Sequence, residues 1–388
     1  ATALGGAAIV LFFAFFLTGW ARSRRGDRPP DLIPWLSGSH PMVQAACAGI
    51  AVALLAFILH QLIKKYLPHR DPWLMPLTVV LSGTGLVLLF QLGPDIARTR
   101  GIPGYAHLFR QQFRSLMLSA VVMVLTARLV TMIRLESLAR KRYIYAVLSM
   151  VLITITAIFG VEMHGRRLSL NLGVMQFQTV ELVKVLALFF MVGYFRYEKG
   201  FLEAGKDRIG LPRGRYLLPY LTLWCLTLMP IFLQKDLGPT AILFAQFILV
   251  FYVGTGSGTS VLSGLVIIVL VGMSFYYLGM PSMVRTRVDM WLDPYSHSQN
   301  MAEALWAIGD GGWFGAGMGD LQSHHIPVVQ SDFNFAALAE AWGIIGIACV
   351  IGWIAMLVQR TLRLSLAAPY PYQQMLLVGF GSLWAIQT

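Results

Sequence analysis

The chain has 388 residues, of which 57% are hydrophobic and 12% charged, with a formal net charge of +12. Soluble domains typically carry about twice that charged fraction, so this balance excludes an ordinary soluble globular protein. The positive surplus suits anionic headgroups or an anionic lipid substrate, and no nucleic-acid partner is expected.

Ten apolar runs, near 2–20, 43–63, 73–92, 115–133, 143–161, 180–197, 216–234, 238–254, 258–280 and 332–358, are long enough, or nearly so, to cross a bilayer. A crossing takes roughly 20 residues, because lipid cannot satisfy backbone polar groups and only a helix satisfies its own. An eleventh run opens near Gln374 and is interrupted at Thr388, so the chain is expected to stop within a span. The expected fold is an all-α polytopic membrane protein with about ten complete transmembrane helices plus a truncated eleventh. The first run lacks the basic n-region and small-residue exit of a secretory signal, and is expected to remain as a helix. Cys47, Cys225 and Cys349 fall inside predicted spans and point to neither disulfides nor a zinc site.

Lys and Arg set the orientation. With the N-terminus inside, the inner loops hold basic residues at more than twice the density of the outer ones, although Arg22, Arg24, Arg25 and Arg28 fall on the outer side. The segment 281–331 then faces outward. It is too long for a simple connector and too rich in Trp, Phe, Leu and Ile to be disordered. Its "GDGGWFGAGMGD" core offers two readings: backbone N–H groups that bind oxyanions, or a compact re-entrant turn.

Charges in or beside apolar spans are costly and normally face a cavity or a partner. Glu181 and Lys184 sit three apart on one helical face, where side chains meet. Lys235 and Asp236 occupy a tight turn before Gly238-Pro239. Asp332 is expected at a helix start, where it can cap, with Glu340 about two turns along the same face. Arg128 reads as a snorkelling or paired residue. The adjacent His324 and His325 do not suit joint ligation of one metal.

The successive stretches "GRRLSLNLGVMQFQTVELVK", "QKDLGPTAILF", "RTRVDMWLDP" and "AIGDGGWFGAGMGDLQSHHIPVVQSDFNFAALAEAWGIIG" resemble, in order and spacing, the motifs of the SEDS proteins. This is the RodA/FtsW/SpoVE group for shape, elongation, division and sporulation. The resemblance covers about residues 71–388 and implies a SEDS-type helical bundle lacking its last helix. Residues 1–70 would be a two-helix membrane extension. The resemblance also implies polymerisation of lipid II into peptidoglycan strands at the outer face of the bacterial cytoplasmic membrane, beside a class B penicillin-binding protein. Such chemistry needs a carboxylate to take a hydroxyl proton, and positive groups or a divalent cation (Mg or Mn) on the departing pyrophosphate. Carried over, the substrate-binding residues would be Arg167, Glu181, Lys184, Lys235, Asp236, Gln299, Asp332 and Glu340.

One departure matters. Family members follow the Trp-Leu-Asp/Asn-Pro step with a second, catalytic acid and a glycine stretch, whereas Asp293-Pro294 leads here directly into "YSHSQN". Thr179-Val180 and Ala341-Trp342 also depart from the pattern. Either Asp293, or a neighbour such as Asp289 or His297, takes the general-base role, or polymerisation is lost and a lipid II-binding scaffold remains. A transporter of the same lipid is a third reading, although the chain lacks the inverted repeats expected of one. In the catalytic reading, desolvation against Trp291 and Tyr295 is expected to raise the Asp293 pKa.

Overall fold

The computed structural model describes residues 2–25, 39–163, 166–171, 173, 176–204, 214–233, 236–279, 282–319 and 321–388. In chain order the helices are α1 (Thr2–Arg24), α2 (Pro41–Tyr66), α3 (Leu74–Arg100), α4 (Leu108–Met132), α5 (Leu135–Arg140) and α6 (Arg142–Phe159). Strands β1 (Val161–Met163), β2 (Arg166–Asn171) and β3 (Gln176–Gln178) follow. Then come α7 (Thr179–Ala204), α8 (Gly214–Leu233), α9 (Leu237–Thr255), α10 (Gly258–Leu278), α11 (Ser282–Leu292) and α12 (Pro294–His297). The chain ends with α13 (Gln299–Gly311), α14 (Asn334–Ala367) and α15 (Pro371–Gln387).

Each apolar run holds a helix. Among the described residues eight are long and apolar enough to cross a membrane: α1, α2, α3, α4 with the turn before it, α6, α9, α10 and α14. Helices α7, α8 and α15 occupy the other three runs. The chain is an all-α, multi-pass membrane protein. Two segments read from sequence as loops carry structure of their own. Residues 162–179 contribute to a small antiparallel sheet of order β1-β2-β3, with Ser169 opposite both Val161 and Gln178. The segment 281–331 is largely helical, holding α11, α12 and α13.

The chain divides into two compact units. The first comprises Ala1–Met132 and Thr286–Leu357. In it α1 packs along α2 and against α3. Phe15, Phe90 and Phe109, all buried, meet edge to face with centroids 5.6–5.9 Å apart, an arrangement favoured by the ring quadrupoles. A polar tie joins the same helices. Arg22, 2% exposed, donates to the Gln91 carbonyl and lies 3.3 Å from the Asp95 carboxylate, which Arg25 and Arg98 also approach. The second unit comprises Ile133–Arg285 and Val358–Thr388. Its centre is α7, whose Val183, Leu188, Met191 and Phe195 are fully buried among residues of α6, α8, α9 and α15.

Candidate functional site

In the second unit the structure pairs Glu181 with Lys184. Lys184 Nζ lies 2.8 Å from Glu181 Oε1, as the spacing predicts. The two side chains differ sharply in exposure: 3% for the ammonium and 56% for the carboxylate. At the head of α7, the Thr179 and Thr156 hydroxyls bond at 2.7 Å and fasten α7 to α6. Arg167, on β2, donates to the Ile158 carbonyl at 2.8 Å and lies 3.5 Å from Glu162, so it ties the sheet to the end of α6. Asp236 occupies the N-cap position of α9, where its backbone carbonyl accepts from the Thr240 hydroxyl. Lys235 lies outside the described residues.

In the first unit the sequence-predicted residues separate into distinct tasks. Asp293 caps α12: its Oδ1 accepts the Ser296 N–H at 3.2 Å, and Oδ2 lies 4.0 Å from His297 Nδ1. The expected rise in its pKa is overturned. The hydrogen bonds from Ser296, with a smaller contribution from His297, hold the carboxyl below the ordinary value of 3.8. Trp291 and Tyr295, 73% and 62% exposed, do not cover it. Gln299 donates its side-chain amide to Glu303 Oε1 at 2.7 Å and so orients that carboxylate.

Glu340 and Asp332 do not share a face. Helix α14 starts at Asn334, two residues after Asp332, whose exposed carboxylate accepts no hydrogen bond among the described residues. The first turn of α14 runs from the Phe333 carbonyl instead, so the expected cap is absent. Glu340 is 2% exposed, and its carboxylate accepts the backbone N–H groups of Gln322 and Ser323, the latter at 2.8 Å. A buried acid whose oxygens are held by main-chain donors organises the loop that carries them.

The glycine-rich segment resolves as a re-entrant turn docked on a break in α14. Gly343, at φ 70° and ψ −174°, interrupts the helix, a conformation that excludes side chains. Across the break Ala316 and Gly317 donate N–H bonds to the Glu340 and Ala341 carbonyls, and Ile344 and Ile345 donate back to Gly312 and Trp313. A Cβ on Gly311 would sit 1.9 Å from the Ala339 carbonyl oxygen, so close packing selects glycine there. The N–H groups of Gly312, Gly315, Ala316 and Gly317 all have backbone acceptors. They are not available as a phosphate cradle.

The FtsW/RodA/SpoVE family model, described as "Cell cycle protein", matches residues 72–388. The chain belongs to this family. Among curated relatives in the family, the peptidoglycan glycosyltransferase RodA of Mycobacterium tuberculosis is 28% identical over 391 residues, covering 98% of this chain and 79% of its own. Its counterpart in Mycobacterium leprae is 30% identical over 338 residues, covering 84% and 70%. The probable peptidoglycan glycosyltransferase FtsW of Nitrosococcus halophilus is 30% identical over 311 residues, covering 78% and 76%. A chain from a solved peptidoglycan synthase complex shares the fold, with a TM-score of 0.54 and 23% identity over 86% of this chain and 82% of that one. The FtsW/RodA/SpoVE match starts just after α2, whereas the 98% coverage by the M. tuberculosis RodA takes in residues of α1 and α2 as well. Sequence reasoning missed the Arg22–Asp95 tie at that end of the chain. The signal was present, since an Arg at the end of one apolar run and an Asp near the end of another both call for a partner.

Proposed function

We propose that this family member polymerises lipid II into peptidoglycan glycan strands at the outer face of the bacterial cytoplasmic membrane. The observation that carries the reading is the similarity, over most of the chain, to relatives named peptidoglycan glycosyltransferase. In this reaction a sugar hydroxyl attacks the anomeric carbon of a lipid-linked donor. The bond to undecaprenyl pyrophosphate breaks, and the hydroxyl proton passes to a carboxylate. Lys184, a buried cation beside a half-exposed acid, suits stabilisation of the departing pyrophosphate. A divalent cation would be held chiefly by phosphate oxygens and water, because no group of three His, Cys, Asp or Glu side chains placed to ligate a metal occurs among the described residues. A class B penicillin-binding protein is the proposed partner.

The geometry of Asp293 favours a second reading, in which the family fold binds lipid II as a non-catalytic scaffold. A capped carboxylate with a depressed pKa is a weak proton acceptor. A lipid II polymerisation assay on the full-length protein, with and without its partner, separates the two: glycan product supports the polymerase, and none under either condition supports the scaffold. Orientation has its own test. A cysteine at the exposed Ser296, in a cysteine-free background, is expected to react with an impermeant maleimide in intact spheroplasts; labelling only after lysis would reverse the topology.

A further inference from the structure

Beside the glycine-rich turn lies a cavity of about 240 Å³ whose lining includes Glu303, Trp306, Asp310, Gln322, Ser323 and His325. At roughly 30 Å³ per water, such a volume holds several waters or one sugar ring. Glu303 and Asp310 are seven residues apart on α13, two turns along one face, with Trp306 between them. Gln299 engages Glu303 Oε1, while Glu303 Oε2 is buried and has no hydrogen-bond partner among the described residues. Independently, Ser323 is 1% exposed and its Oγ also has no partner among the described residues, although its N–H is anchored on Glu340. Buried polar atoms are normally paired, so two orphans lining one cavity mark a place where a polar ligand completes the bonding.

The donor set identifies its class. A metal would want several ligating side chains converging, and no such group of three is present among the described residues. An ammonium would need acceptors alone, yet the wall also carries the Gln322 amide, the Ser323 hydroxyl and the His325 ring. Two carboxylates to accept from hydroxyls, groups that also donate, and a Trp for an apolar ring face together match a pyranose. Resting on the glycosyltransferase reading above, we infer that this cavity is a saccharide subsite, in which Glu303 and Ser323 bind ring hydroxyls and Trp306 supports the ring.

The test uses the full-length protein in detergent and two probes, soluble N-acetylchitotetraose and lipid II, with saturation-transfer NMR and titration as readouts. Glu303→Gln is expected to weaken binding about tenfold, the effect of one charge-assisted hydrogen bond. Trp306→Ala, at an exposed position, is expected to remove the transfer signal from the ring protons while leaving the melting temperature near wild type. Variant dependence with both probes assigns the subsite to the glycan strand, and dependence with lipid II alone assigns it to the lipid-linked precursor; both support the inference. Binding unchanged in both variants, or displacement by Mn²⁺ or putrescine in place of sugar, overturns it. Wild-type protein that binds sugar but makes no glycan overturns the polymerase reading and leaves the subsite standing.

Discussion

Glu181 and Glu340 are both carboxylates set into apolar helices, and their surroundings give them opposite tasks. Glu340 is buried and holds two main-chain N–H groups, so its charge is absorbed by the loop it anchors. Glu181 is more than half exposed and shares its charge with an ammonium that is itself buried. Membrane depth makes an acid expensive, but the cost alone does not make it a substrate ligand. What it bonds to decides.

Three variants break or sharpen that contrast. The largest effect is expected from Lys184→Met. Removing the buried ammonium leaves Glu181 in contact with solvent, so melting in detergent should move by no more than a few degrees. Polymerisation should fall about 100- to 1,000-fold, the scale of losing one group that stabilises developing charge. A collapse of melting temperature with unchanged activity per folded molecule would make the pair structural. Glu340→Gln comes next. The amide presents one acceptor to two donors, so one buried N–H goes unpaired at a cost of about 1–3 kcal/mol. Denaturant unfolding should show that loss, with activity falling only as far as the loosened Gln322–Ser323 turn disturbs the cavity it lines; a loss of activity with unchanged stability would return Glu340 to the substrate. The smallest effect belongs to Asp293→Asn. Asn caps a helix about as well, so the neutral-pH melting temperature should be unchanged. Because folding lowers the Asp293 pKa, its cap contributes above the unfolded value of 3.8 and is lost as pH falls through the depressed one. The variant should therefore lose less stability than wild type on acidification. Its polymerisation rate should drop by much less than the about 100- to 10,000-fold typical of a lost proton-transfer group; a drop of that full size would restore Asp293 as general base.

The helices were legible because each apolar run is long enough to need lipid and each charged turn marks a boundary. The short strands were not. Leu168 and Leu170 alternate with Arg167 and Ser169, but so brief a pattern competes poorly with a loop. Within the site, the Glu181–Lys184 pair is local and follows from helical spacing. Glu340 is the reverse case: its partners are main-chain N–H groups 17 and 18 residues away, which carry no side-chain signature. Asp293 shows a third kind of miss. The sequence suggested desolvation against Trp291 and Tyr295, but both rings are exposed, and the hydrogen bonds from Ser296, which the sequence does not announce, outweigh the desolvation that remains.

The Arg22–Asp95 tie has a consequence for biogenesis. Arg22 leaves the translocon at the end of α1, more than seventy residues before its acceptor has been synthesised. Until α3 is made, that guanidinium has no Asp95 to pair with. Pairing with Asp95 then acts as a latch that records the arrival of the third helix. A chain trimmed of α1 would present Asp95 to membrane quality control without its most deeply buried partner.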